Sequence, residues 1–135
     1  MERPHLFAID GDPDFLDLLR ELFQDANYHV TTTNFVPGTF DQIAALDPAL
    51  LLVDLVVYEQ ADWELLARLR AASRTRGIPL VIFSTDPRLL ARARSDPERY
   101  GGDAFIEKPF DIATVVDAVR ALLEPARAHP PYRMR

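Results

Sequence analysis

Leu50-Leu51-Leu52-Val53-Asp54 places four apolar side chains in unbroken succession and ends on a carboxylate. Successive residues of a strand point to opposite faces of a sheet, so a run without alternation describes a strand covered on both sides. Parallel sheets, flanked by crossover helices above and below, are where such strands occur. Two further runs have the same form: Leu80–Phe83 is followed by Ser84, and Ala104–Ile106 by Glu107 and Lys108. A carboxylate, a hydroxyl and an ammonium therefore sit at or just past three strand ends.

Further out, the chain divides into five strand–helix units. His5–Ile9 is a short β-run, and Asp12-Pro13 after it reads as an N-cap with proline at the first helical position. Phe15, Leu16, Leu19, Leu22 and Phe23 then recur at helical spacing. His29–Thr33 is rich in β-branched residues. A weaker helix around Phe40, Ile43 and Leu46 closes at Asp47-Pro48. Trp63, Leu66 and Leu69 mark a third helix, ended by the turn at Arg74–Gly77. Asp86–Arg94 forms the fourth helix. Asp111 caps the last, with Ile112, Val115, Val116, Val119, Leu122 and Leu123 on one face. Strict alternation of this kind predicts an α/β domain with a parallel sheet and helices on both sides. Ligands of such sheets bind outside the carboxyl ends of the strands, where Asp10, Asp54, Ser84 and Lys108 all fall.

Composition narrows the function. The chain has 135 residues, 27% of them charged, and a formal net charge of −6, which argues against nucleic-acid binding. It has no cysteine, so disulfides and thiolate chemistry are excluded. No apolar stretch has the length of a membrane span and no secretory leader pattern opens the chain, so a cytoplasmic protein is expected. His5, His29 and His129 are scattered along the sequence and suggest no zinc site. Lys108 is the only lysine beside fourteen arginines. A compact ammonium on a flexible stem, where arginine is otherwise used, suggests a mobile point charge rather than a rigid fork. Residues 1–124 read as one domain, and 125–135, short, basic and proline-containing, as a flexible tail or the stub of a linker.

Four segments, Leu6–Asp14, Leu51–Leu55, Pro79–Thr85 and Ala104–Phe110, resemble the receiver domains of two-component response regulators. The most specific is Ala104-Phe105-Ile106-Glu107-Lys108-Pro109-Phe110. The resemblance covers about residues 4–124 and implies a flavodoxin-like (βα)5 three-layer sandwich with strand order 2-1-3-4-5. It implies that Asp54 accepts a phosphoryl group from a histidine on a kinase or phosphotransfer protein. It further implies Mg²⁺ held by Asp10, Asp54 and the Val56 carbonyl, with Asp12 as a further candidate. Ser84 and Lys108 would contact phosphoryl oxygens, Ser84 and Phe105 would act as the switch, and the Lys108-Pro109 peptide would be cis. Output or homodimer contacts would use the fourth helix, fifth strand and last helix, including Arg88, Arg92, Phe105, Asp111 and Arg120. Self-phosphorylation, without enzymatic turnover, is the expected chemistry.

Two departures from the family pattern stand out. Its paired acids after the first strand are here Asp10-Gly11. The loop after Asp54 reads Val56-Val57-Tyr58-Glu59-Gln60-Ala61-Asp62-Trp63 where proline and glycine are usual; Tyr58 and Trp63 beside the site would reshape access to it, while each reads most simply as a packing residue or partner contact. Two other functions compete. One is a degenerate receiver that serves as a constitutive protein-interaction module. The other rests on Phe7-Ala8-Ile9-Asp10-Gly11-Asp12, which also resembles the nucleophile motif of haloacid-dehalogenase-type phosphatases, with Asp10 as nucleophile.

Overall fold

A computed structural model describes residues 3–34, 38–56 and 60–124. Five parallel strands, β1 (His5–Ile9), β2 (His29–Thr33), β3 (Leu50–Asp54), β4 (Leu80–Ser84) and β5 (Ala104–Glu107), form one sheet in the order β2-β1-β3-β4-β5. Six helices connect and follow them: α1 (Pro13–Asp25), α2 (Thr39–Leu46), α3 (Gln60–Ala71), α4 (Pro87–Arg94), α5 (Pro97–Tyr100) and α6 (Ile112–Leu123). This is the flavodoxin-like architecture expected from the alternation of elements.

The two faces of the sheet carry separate cores. Phe7, Ile9, Leu51, Val53, Leu80 and Ile82 point to one side, where they meet Ile43 of α2, Trp63, Leu66 and Leu69 of α3, Leu90 of α4 and Tyr100 of α5. Leu6, Ala8, Leu50, Leu52, Val81 and Phe83 point to the other, against Leu16, Leu19 and Phe23 of α1 and Val115 and Val119 of α6. The period-2 geometry of the strands makes this division, and it explains why Leu50–Val53 needed no polar residue.

Helix starts follow local chemistry. Asp12 and Asp86 accept hydrogen bonds from Asp14 N–H at 3.0 Å and Arg88 N–H at 2.9 Å, each followed by proline at the first turn. Asp96-Pro97 repeats the pattern and starts α5, a short helix not anticipated from the apolar spacing because a single turn shows no periodicity. Asp111 occupies the N-cap position of α6 but makes no side-chain capping bond, contrary to expectation. Ile112, expected on the buried face of that helix, is 53% exposed; its place in the first turn puts it beyond the edge of the core.

His5 and His29 are register partners on β1 and β2, with ring centroids 4.8 Å apart, because parallel pairing aligns residues distant in sequence. Burial and the neighbouring His29 ring lower the pKa of His5. His129 and the rest of the 125–135 tail lie outside the described residues, as does Tyr58. Among the described residues no helix is long and apolar enough to cross a membrane.

Candidate functional site: an acidic pocket closed by one lysine

The strand order reverses direction between β1 and β3: β2 lies outside β1, and the chain then returns to build β3, β4 and β5 on the other side. Loops diverge at such a switch point and leave a crevice at the carboxyl ends of the strands. Asp10 follows β1 and Asp54 ends β3, so the two carboxylates flank this crevice. Both are buried, 3% and 6% exposed.

Lys108 joins them. Its Nζ lies 2.8 Å from Asp10 Oδ2 and 2.9 Å from Asp54 Oδ1. Two contacts hold the side chain there: Lys108 N–H donates to Ser84 O at 2.9 Å, and the ammonium lies 3.8 Å over the ring of Phe15 on α1. The Lys108-Pro109 peptide is cis, as the resemblance implied. Phe15 in turn packs edge-on against Phe83 and Phe110. An aromatic face attracts a cation by its quadrupole, so Phe15 holds the head group of Lys108 from below.

The two carboxylates are differently engaged. Asp10 Oδ1 accepts from Asp12 N–H at 2.9 Å while Oδ2 accepts from Lys108, so both its oxygens are committed. Asp54 Oδ1 accepts from Lys108, and Oδ2 has no hydrogen-bond donor among the described residues. Burial is the main cause that raises the Asp54 pKa to about 6; the Lys108 hydrogen bond opposes it and the charge of Asp10 adds to it. At neutral pH Asp54 is therefore ionised but more basic than an ordinary aspartate, which suits a nucleophile.

Ser84 is fully buried at the end of β4. Its hydroxyl donates to Leu55 O at 2.9 Å and accepts from Asp86 N–H at 3.0 Å. The same short segment is held from the opposite end, where Val56 N–H donates to Asp62 Oδ2 at 3.1 Å. Asp62, 1% exposed in the first turn of α3, was not singled out in the sequence, where an acid at a helix start looks like simple capping. The helical spacing assigns Phe15 only to helix-face packing. Its place in the first turn after a strand end was the available signal for both a core and a site role.

Asp12, the further metal candidate, is exposed and spends its carboxylate on the α1 cap. Phe105 is half-buried on β5, beneath the Arg94 guanidinium at 4.7 Å, and it lies close on Gly102, where an added Cβ would fall 2.7 Å from its Cζ. Trp63 is a packing residue, the simplest of the roles its sequence context offered. It is buried, edge-on to Tyr100 at 4.9 Å, because α3 turns that side of the helix toward α5.

Oxygen chemistry in the crevice fits a hard divalent cation. Asp10, Asp54 and the exposed Val56 segment offer carboxylate and carbonyl oxygens, the donor set that Mg²⁺ prefers alongside several retained waters. Among the described residues no cluster of three or more acidic, histidine or cysteine side chains could hold an ion.

The ionised state of Asp54 has a stability consequence. Between its unfolded value, 3.8, and about 6, the folded protein binds more protons than the unfolded chain, so stability falls as pH rises through this window. The raised pKa corresponds to at most about 3 kcal/mol. In metal-free buffer Asp54→Asn is expected to stabilise the protein at pH 7 by about 1–2 kcal/mol, part of the gain being lost with a Lys108 contact. The difference should vanish well below pH 3.8, where the carboxyl is protonated in both states. Urea denaturation at both pH values measures it.

The chain belongs to the response regulator receiver domain family, whose model matches residues 6–120. It is thus a receiver domain of the two-component signalling class. Among curated relatives it is 30% identical over 122 residues to the DNA-binding dual master transcriptional regulator RpaA of Synechocystis sp., a match covering 89% of this chain and 49% of RpaA. It is 26% identical to an uncharacterised 14.6 kDa protein of Leptolyngbya boryana, covering 93% of this chain and 92% of that protein. The chain thus spans about half the length of RpaA. Among solved structures, a response regulator protein from Burkholderia multivorans is 31% identical, with a TM-score of 0.72, covering 93% of this chain and 98% of that one. Receiver domains generally bind Mg²⁺ at the phosphorylation site and interact with histidine kinases or phosphotransfer proteins.

Proposed function

We propose that Asp54 accepts a phosphoryl group from a phosphohistidine on a kinase or phosphotransfer protein. The observation that carries this reading is the convergence of Asp10, Asp54 and Lys108, distant in sequence, within 2.9 Å of one ammonium at the switch point. Asp54 Oδ2 attacks phosphorus, the P–N bond to the donor imidazole breaks, and the proton required by the departing nitrogen comes from the donor site or water. Asp10, Asp54 and the Val56 carbonyl would hold Mg²⁺, which neutralises charge on the phosphoryl oxygens. Lys108 stays on the carboxylate side and offers a donor to one phosphoryl oxygen. The chemistry is a single self-modification with no turnover of a substrate pool, so the domain is not an enzyme in the ordinary sense.

Switching follows from the commitment of Ser84. To reach a phosphoryl oxygen its hydroxyl must leave Leu55 O, and this frees the β4 exit to move. Phe105, packed on Gly102 beneath Arg94, would turn inward in response. Next to it a groove of about 500 Å³, lined by Phe105, Pro109, Phe110, Asp111 and Thr114, offers a protein partner or a second copy a place on the α4–β5–α6 face. On that face Arg88 is paired with Asp86 and Arg120 with Asp117. The setting for this exchange is the cytoplasm.

One observation favours a second reading, a phosphorylation-independent interaction module: Lys108 already occupies an oxygen of each carboxylate, and Gly11 supplies none. The phosphatase reading is weaker, because both oxygens of Asp10 are engaged while Asp54 has one free of donors. Incubation with a small phosphodonor and Mg²⁺, followed by peptide mass mapping, separates them. A Mg²⁺-dependent phosphoryl adduct on Asp54, absent in Asp54→Asn, is expected. An unlabelled but folded protein supports the interaction module, and an adduct on Asp10 supports the phosphatase.

A further inference from the structure

Charge is distributed unevenly along this chain. Residues 68–99 hold eight arginines against three acids, a surplus of five positive charges, whereas the other residues together carry −11 of the total −6. Four guanidinium groups lie over aromatic rings: Arg68 over Phe40 and Arg92 over Trp63, both at 4.0 Å, Arg94 over Phe105 at 4.7 Å, and Arg99 over Tyr100 at 5.3 Å. All four rings belong to, or pack against, the core on the α2–α5 side of the sheet, so the arginines lie on one face. All four are exposed, and none has a carboxylate within ion-pair distance among the described residues, unlike Arg20, Arg88 and Arg120.

We infer that the α2–α5 face is a docking surface for a protein partner that presents clustered carboxylates. A guanidinium stacked flat on a ring keeps its N–H edge toward solvent in the orientation that accepts a carboxylate through two parallel bonds. Stacking also restricts the side chain beforehand, which reduces the ordering cost of binding. Arginine backed by Trp and Tyr is the composition of binding hot spots. In the opposite layer, α1 carries Asp14, Asp17, Glu21 and Asp25 against Arg20. The arginines of the 68–99 stretch attract an acidic partner during encounter, and the acids of α1 repel it from the opposite layer. A nucleic acid, with one negative charge per ~1.7 Å of duplex, would extend beyond the face into the field of the surrounding acids. A localised protein surface does not meet that penalty.

The test uses the full chain with a fluorescein-labelled oligoglutamate peptide and, separately, a labelled DNA duplex, both followed by anisotropy. The expected result is saturable peptide binding at low salt that weakens by at least about tenfold when Arg92 and Arg94 are both changed to alanine. Arg92→Lys with Arg94→Lys, which keeps charge but loses the planar stack, should fall between, and Arg20→Ala on the opposite layer should bind as the parent does. Circular dichroism confirms folding, and the lysine pair serves if the alanine pair does not fold. Absence of saturable peptide binding, equal loss in Arg20→Ala, or tighter binding of the duplex than of the peptide overturns the inference.

Discussion

Lys108→Met is expected to lower stability by about 3–5 kcal/mol at pH 7 in metal-free buffer, the usual cost of removing one partner from a buried ionic cluster. The wild-type ammonium compensates two buried carboxylates at once, at 2.8 and 2.9 Å. Methionine preserves the stem packing above Phe15 and removes the charge, so the loss reports on electrostatics rather than on a cavity. Without the ammonium, Asp54 loses the hydrogen bond that opposes its upward pKa shift, and the shift grows. Protonation then limits the damage, and the deficit should shrink toward pH 5. Millimolar Mg²⁺ should restore part of the stability, because a divalent ion can occupy the charge position the lysine has left. Denaturant titrations at two pH values, with and without Mg²⁺, measure all of this. A variant as stable as the parent at pH 7 would mean that the lysine contributes nothing to the pocket.

The second large effect concerns the residue this chain lacks. Gly11→Asp is expected to tighten Mg²⁺ binding by at least about tenfold, measured by isothermal titration. Nothing lies within 4 Å of a Cβ built at Gly11, and its φ is not positive, so the substitution is sterically free. A third carboxylate beside the cation gains a few kcal/mol of attraction at an effective dielectric of about 20, and desolvation consumes much of it. Without metal the same change should raise the Asp54 pKa further, since it adds a like charge to the crevice. The glycine thus exchanges metal affinity for a pocket that one lysine can nearly neutralise. Unchanged Mg²⁺ affinity in this variant would place the cation elsewhere.

Much of the fold was legible because it rests on short-range rules. Leu50–Val53 could only be a doubly covered strand, and Asp12-Pro13 and Asp86-Pro87 could start helices by local hydrogen bonding. The site was legible to the extent that it lies at strand ends, where topology gathers residues without reference to side-chain detail. Contacts made across elements were not. That Asp62 holds Val56 N–H, that Phe15 lies under Lys108, and that His5 faces His29 depend on helix rotation and strand register. Trp63 shows the same limit: a packing role was legible, but that its partner is Tyr100 depends on the rotation of α3.

The most direct measurement is a crystal structure of the protein grown with Mg²⁺ and beryllofluoride, which mimics an aspartyl phosphate. The expected result is beryllium bonded to Asp54 Oδ2, the Ser84 hydroxyl moved from Leu55 O to a fluoride within about 3 Å, Lys108 on a second fluoride, and the metal on Asp10, Asp54 and the Val56 carbonyl. Crystals in which Asp54 carries no beryllium and Lys108 still bridges the two aspartates at saturating reagent would refute a phosphoaccepting role.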